Sequence, residues 1–180
     1  ISHPVPLHDN IRFAGEDVQA GQRLINKGTL LKPAHIATLL ATGTPEVSVS
    51  EMPAVQIFTT GKEVSDDYTQ PLAPSQIYNS NTPYLIAALQ GIGIPASCAG
   101  HIGDDEVHFR TLLRDTTDAR ILVSSGAVSK GKWDFIPSVL KEFGAEILFH
   151  RVAIKPGKPV LFARLPDGRY FFGLPGNPIS

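Results

Sequence analysis

The chain has 180 residues, and its 16 Lys and Arg against 17 Asp and Glu give a formal net charge of −1. A nearly neutral chain has no overall field that draws it to nucleic acid or to an anionic membrane surface, so any anion site has to be local. No apolar stretch reaches the roughly 20 residues that span a bilayer, no signal-peptide pattern opens the chain, and its one cysteine predicts a reducing compartment such as the cytoplasm.

Residues 1–53 form the first predicted segment. The sequence indicates short strands with glycine turns and then one helix, which begins at Pro33 and stops at Gly43, followed by a further short strand, "EVSVS". The helix places Ile36 and Leu40 on one apolar face. We expect a domain boundary at the end of this segment, because the hydrophobic pattern then changes.

Residues 54–180 alternate apolar strand-like runs with amphipathic helical runs, which is typical of βαβ units and a mostly parallel sheet. The predicted strands are "AVQIFTT", "IPASCAGHI", "ARILVSS" and "AEILFHRVAI", and the predicted helices are "NTPYLIAALQGIG", "DDEVHFRTLLRDT" and "KWDFIPSVLKEFG". A hairpin around Pro166-Asp167-Gly168 closes the pattern. The fold class is therefore α/β, a three-layer αβα arrangement around a mostly parallel mixed sheet.

Five loops of this segment are candidates for one binding site, because ligands of open α/β sheets bind beyond the carboxyl ends of the strands. If the first strand of the hairpin is antiparallel, all five meet at one edge. They are "TTGKEV", "HIGDDE", "SSGAVSKGKWD", "KPGKP" and "GLPGNPIS". We expect one site there.

Two of the loops, "SSG" and "GLPGNP", consist of small residues that let an anion such as phosphate approach backbone N–H groups. A tight turn explains either loop taken alone. Two such loops at one edge favour anion binding.

Two lysines, Lys155 and Lys158, lie in the proline-framed loop "KPGKP". Pro156 and Pro159 hold the backbone extended or turned, so both ammonium groups can face an anionic ligand without a large entropy loss. Two solvated lysines are an equally good interpretation.

Four carboxylates, Glu63, Asp104, Asp105 and Asp134, belong to the same predicted edge. A magnesium ion takes one or two carboxylates together with phosphate oxygens and water. Helix capping explains Asp104 and Asp105 equally well. Asp134 lies past the predicted helix start, which favours a metal or catalytic role for it.

The stretch "QIYNSNTPYL" includes Asn79 and Asn81. These asparagines indicate the start of a helix, and a ligand contact is the less favoured interpretation.

The six histidines show no zinc-ligand spacing. Metal chemistry, if present, is therefore expected from carboxylates.

Six motifs, "VQIFTTGKEV", "SQIYNSNTPYL", "HIGDDE", "SSGAVSKGKWDF", "AIKPGKPVLFA" and "GLPGNPIS", together resemble the molybdopterin-binding domain of the molybdopterin molybdenumtransferase (MoeA) family, which includes the enzymatic domain of gephyrin. Residues 1–53 resemble part of that family's preceding domain. The resemblance implies that adenylated molybdopterin is cleaved with Mg²⁺ and receives molybdenum from molybdate, in a homodimer in contact with the adenylyltransferase. Adenylylation of molybdopterin and a non-catalytic pterin-binding or scaffold role are the alternatives.

The same resemblance assigns roles to individual residues. It implies catalytic or metal-binding roles for Glu63, Asp104 or Asp105, and Asp134, and basic roles for Lys155 and Lys158. The residues implied to contact the substrate are Thr60, Gly61, Asp105, Ser125, Gly126, Ser129, Gly131, Pro175, Gly176, Asn177, Pro178 and Ser180. The chain departs from the family pattern at Lys62, where an acid is usual, and at Ala127, where glycine is usual.

Overall fold

The computed structural model describes residues 4–126 and 135–177. It divides into two compact units, Ile1–Ser50 and Glu51–Ser180. Within the described residues, no helix is both long enough and apolar enough to cross a membrane.

The first unit contains the predicted helix, α1 (Pro33–Ala41). Proline occupies the first turn, and His35 Nδ1 accepts a hydrogen bond from the Lys32 N–H at 3.0 Å. Gly43 follows the helix with φ of +72°, a left-handed conformation that favours glycine. The helix and its end are therefore confirmed.

The strands expected in this unit are wrong for its described part, because residues 4–50 form, apart from α1, turns and extended chain without a strand ladder. A strand requires a hydrogen-bonded neighbour, and the successive turns of this unit provide none. Val49 of "EVSVS" is 70% exposed. Ile36 and Leu40 on the apolar face of α1 are exposed as well.

The second unit contains the α/β fold. In chain order its elements are β1 (Val55–Thr59), β2 (Val64–Ser65), β3 (Ile77–Tyr78), α2 (Asn81–Gly91), β4 (Ala96–His101), α3 (Glu106–Asp115), β5 (Ile121–Ser125), α4 (Ile136–Glu142), β6 (Glu146–His150), β7 (Leu161–Arg164) and β8 (Tyr170–Leu174). Among the described residues, β2 and β3 form a small parallel sheet of their own, which the sequence did not predict. α4 begins at Ile136, later than we predicted.

The main sheet has six strands within the described residues, in the order β4-β1-β5-β8-β7-β6. The pairs β1–β4, β1–β5 and β5–β8 are parallel, whereas β7 is antiparallel to both of its neighbours. The mostly parallel mixed sheet and the antiparallel first strand of the hairpin are therefore confirmed.

Side chains of successive strand residues pack on opposite faces of this sheet. On one face, Val55, Ile57 and Val123 pack with apolar residues of α2. On the other, Phe58 and Leu122 join the larger cluster formed with α3 and α4. The arrangement has three layers, as predicted, and leaves the carboxyl ends of the strands open at one edge.

The predicted hairpin joins β7 to β8. Gly168 N–H donates to Leu165 O at 3.0 Å, and Leu165 N–H donates to Arg169 O at 2.8 Å. The Asp167 carboxylate accepts from Arg169 Nε at 2.8 Å. This bond, with the Arg169 charge, lowers the pKa of Asp167 below its ordinary value of 3.8.

Stability is expected to depend on Asp167 in mild acid. When a carboxyl group has a lower pKa in the folded state, the unfolded state binds more protons in that range, so stability falls as the pH drops through it. The loss of stability caused by Asp167→Asn should therefore be smaller at about pH 3 than at about pH 6 in urea unfolding. An equal loss at both pH values would contradict this linkage.

Candidate active site

Neighbouring loops are hydrogen-bonded to one another along the carboxyl edge of the sheet. Thr60 N–H donates to Ser125 O at 3.0 Å, and Gly126 N–H donates to Leu174 O at 3.0 Å. The antiparallel direction of β7 adds the loop before it to the same edge, since Leu161 pairs with Gly173 near the end of β8. The loops after β1, β4, β5 and β8 and the loop before β7 therefore share this edge, which we call the rim.

A cleft of about 520 Å³ opens at the rim. The start of α2 supplies Asn81 and Tyr84, the end of β5 supplies Ser125, and the loop after β8 supplies Pro175 and Asn177. The volume lies within the range of small-molecule sites, roughly 300–1,000 Å³. Three of the residues predicted to contact a ligand, Ser125, Pro175 and Asn177, thus line one cleft.

Gly126 and Gly176 bring two rim loops into close contact. Gly126 has φ of +102°, and a Cβ on it would overlap Thr60 Oγ1 and lie 3.1 Å from the Thr60 carbonyl oxygen. A Cβ on Gly176 would lie 3.4 Å from Gly126 Cα. Packing between the loops therefore restricts position 126 to glycine, independently of any ligand.

Asn81 connects three elements of the rim. Its Nδ2 donates to Ser125 Oγ at 2.6 Å and to Gly176 O at 2.8 Å. The sequence suggested Asn81 as a helix entry, but it is the first residue of α2 and forms no cap. Its partners lie 44 and 95 residues further along the chain, so local sequence signals did not identify this role.

Asn79 links the start of α2 to the end of β1 through side-chain hydrogen bonds. Its Nδ2 donates to Thr59 Oγ1 at 2.9 Å and to Asp66 Oδ1 at 2.7 Å, and its Oδ1 accepts from Thr82 N–H at 3.2 Å. Tyr68 OH donates to Asn79 O at 2.6 Å. Partial desolvation and the neighbouring Asp66 carboxylate raise the pKa of Tyr68. The network fixes the helix start against the end of β1.

The loops that carry Glu63 and Asp104 are adjacent. Gly61 N–H donates to Gly103 O at 3.4 Å, and His101 Nε2 lies 2.7 Å from Gly61 O. Because a carbonyl oxygen only accepts, Nε2 is the protonated nitrogen. These bonds place both predicted carboxylate loops side by side at the rim.

Asp105 is a helix cap. Its Oδ1 accepts from Val107 N–H at 2.8 Å and from His108 N–H at 3.1 Å. The capping interpretation therefore explains this carboxylate, whereas the structure gives Asp104 no such role.

The magnesium hypothesis rests on the chemistry of these donors. Within residues 4–126 and 135–177 no group of three or more metal-binding side chains comes together. Glu63 and Asp104 on adjoining loops still fit an ion that takes one or two carboxylates besides phosphate oxygens. The other predicted residues, Ser129, Gly131, Asp134, Pro178 and Ser180, lie outside the described residues.

Lys155 and Lys158 are exposed in the loop between β6 and β7. Arg151 N–H donates to Val160 O at 2.7 Å, and Val152 N–H donates to Lys158 O at 3.0 Å, so the loop is closed at its base. Gly157, between the two lysines, lines the cleft. The lysines therefore belong to the cleft's margin.

The fold and the rim cleft define an α/β ligand-binding domain, and comparison with known proteins specifies its kind. Residues 56–180 match the family described as a probable molybdopterin binding domain, and residues 1–43 match the MoeA N-terminal region, domains I and II. The chain therefore belongs to the molybdopterin-binding domain family, which confirms the resemblance seen in the motifs.

Individual relatives agree with this assignment. The chain is 38% identical over its whole length to the molybdopterin molybdenumtransferase of Synechococcus elongatus and covers 45% of that protein. It is 36% identical over 94% of its length to the Bacillus subtilis protein of the same name and covers 39% of it. The chain thus spans less than half the length of these relatives.

Solved structures show the same similarity. The molybdopterin biosynthesis MoeA protein from Pyrococcus horikoshii superposes with a TM-score of 0.70 at 32% identity, covering 91% of this chain and 40% of that one. The molybdopterin biosynthesis enzyme MoaB from Thermus thermophilus, with a TM-score of 0.50 at 15% identity over 71% of this chain and 83% of that one, shares the fold alone.

Proposed function

We propose that this chain is the substrate-binding part of a molybdopterin molybdenumtransferase, which inserts molybdenum from molybdate into adenylated molybdopterin and releases AMP. The observation that carries the proposal is the rim cleft, whose described lining residues come from four of the six recognised motifs. Relatives with that name match the chain over nearly all of its length.

The cleft suits a phosphorylated heterocycle. Its walls include the apolar side chains of Leu85, Ile154 and Leu174, and polar groups of Asn81 and Ser125 converge on it. Apolar walls with a few placed polar groups are typical of small-molecule sites. We assign the heterocycle to the apolar walls and the phosphates to Ser125 and to the lysines at the margin.

We propose that Glu63 and Asp104 would bind Mg²⁺, together with Asp134, which lies outside the described residues. A bound Mg²⁺ supplies electrostatic stabilisation to the charged phosphates during cleavage. The protein's own part is to hold the ligand at the rim and to offset its negative charge with Lys155 and Lys158.

The wider assembly is also part of the proposal. We assign residues 1–53 to the preceding domain and residues 54–180 to the pterin-binding domain. We expect a homodimer that contacts the adenylyltransferase supplying its substrate. The single cysteine, Cys98, is in keeping with a cytoplasmic location.

The lysines provide a direct test. We expect Lys155→Ala/Lys158→Ala to weaken binding of adenylated molybdopterin by about tenfold or more, because two charge-assisted contacts to the anion are lost. Lys141→Ala is the matched control. Lys141 is also an exposed lysine, but it lies in the last turn of α4, at the end of the helix away from the rim. Isothermal titration calorimetry with Mg²⁺ present measures both variants.

The outcomes separate the functions considered. AMP release that requires both molybdate and Mg²⁺ supports the proposal. Formation of an adenylated product from ATP and molybdopterin without molybdate would replace it with adenylyltransferase activity. Binding without turnover in a chain extended to the length of its relatives would identify a non-catalytic pterin-binding module, a role that Lys62 makes worth testing.

A further inference from the structure

The orientation of the Asn81 amide follows from one of its partners. Nitrogen and oxygen of an asparagine side chain are distinguished by their hydrogen bonds. Gly176 O can only accept, so the Asn81 atom 2.8 Å from it is Nδ2. The same nitrogen lies 2.6 Å from Ser125 Oγ, and an amide nitrogen can act only as a donor in that hydrogen bond.

This orientation fixes the direction of the Ser125 hydroxyl bond. Ser125 Oγ has to accept from Asn81, so the hydroxyl hydrogen remains available as a donor. Among the described residues, no acceptor is found for that hydrogen, although Ser125 is only 2% exposed and lines the cleft. A buried donor without a partner costs roughly 1–3 kcal/mol, and an acceptor in the cleft would remove that cost.

We propose that Asn81 is a positioning residue that commits the Ser125 hydroxyl to donate to a phosphate oxygen of the ligand and clamps the loops after β5 and β8 together. The assignment of the phosphate rests on the proposed function. The clamp rests on the two hydrogen bonds alone.

Two substitutions of Asn81 test whether its role as a hydrogen-bond donor to Ser125 matters for binding. Asn81→Asp keeps the shape but places a carboxylate beside Ser125, which accepts the hydroxyl hydrogen and also repels an anionic ligand. Asn81→Ala only removes the clamp. We expect Asn81→Asp to weaken binding of adenylated molybdopterin by about twentyfold and Asn81→Ala by about fivefold. Gln90→Ala is the matched control, because Gln90 Nε2 also donates to a carbonyl, Ala96 O at 3.1 Å, from the other end of α2.

A double-mutant cycle tests whether Asn81 acts through Ser125. In the Ser125→Ala background, the extra loss of Asn81→Asp over Asn81→Ala should shrink to the part caused by charge repulsion, because the hydrogen to be captured is absent. The ³¹P resonance of the bound ligand should shift in Ser125→Ala and Asn81→Asp and stay unchanged in Gln90→Ala. Additive losses, or a shift in none of the variants, would overturn the inference.

Hydrogen exchange at Gly126 tests the clamp without ligand. The Gly126 amide donates to Leu174 O across the two clamped loops, so its exchange should be about tenfold faster in Asn81→Ala and unchanged in Gln90→Ala. If the parent chain fails to bind adenylated molybdopterin, the proposed function fails and this exchange still decides the clamp. Unchanged exchange in Asn81→Ala would overturn it.

Discussion

Gly126→Ala is expected to lower the free energy of unfolding by about 4 kcal/mol and to abolish ligand binding at the rim. The left-handed backbone at φ of +102° is unfavourable for alanine, and the added methyl group would overlap Thr60 Oγ1. Thr60 cannot move easily, because it is 3% exposed and its backbone N–H bonds to Ser125 O. Urea unfolding and a binding titration measure the two effects.

Gly100→Ala is the matched control for this change. Gly100 has nearly the same backbone angle, φ of +107°, but a Cβ there has no atom within 4 Å. Only the backbone cost remains, about 1–2 kcal/mol, and the cleft is untouched. Equal losses for the two variants would show that the contact with Thr60 contributes nothing.

Arg169→Ala is expected to lower the free energy of unfolding by about 2–4 kcal/mol, because two buried carbonyl oxygens lose their donor. Arg169 is 6% exposed, and its guanidinium donates to Leu113 O at 2.7 Å and to Thr116 O at the end of α3. Truncation leaves both carbonyls without this donor and removes the partner of Asp167. Thermal and urea unfolding should both report the loss.

A second arginine of the same hairpin supplies the comparison. Arg164 pairs with Glu146 at 2.6 Å, but both side chains are more than half exposed. Exposed pairs contribute roughly 0–1 kcal/mol, so Arg164→Ala should be nearly neutral. Comparable losses for Arg169→Ala and Arg164→Ala would contradict the role of burial.

The α/β unit could be predicted because its elements have local causes. Apolar runs such as that of β5 and the amphipathic pattern of α3 depend on residues close in sequence. Residues 4–50 show the limit of this reasoning. Short runs between glycine turns suggested strands there, but a ladder depends on a pairing partner that the local pattern does not specify.

The rim could be predicted in outline, because parallel topology places the carboxyl ends of strands together and the motifs lie in those loops. The contacts within it could not. Asn81 reaches Ser125 and Gly176 across long stretches of chain, and the same residue type at a helix start ordinarily indicates a cap. Asp105 gave the opposite case, since its capping role was visible from local sequence.

The reversed direction of β7 bears on how this domain can diversify. Because β6 ends and β7 begins at the rim, residues 151–160 leave the sheet and return to it at one edge, closed by the bond from Arg151 N–H to Val160 O. Insertions or deletions within this stretch would reshape the mouth of the cleft and leave the strand registers intact. Selectivity for different ligands can therefore evolve there with little effect on folding.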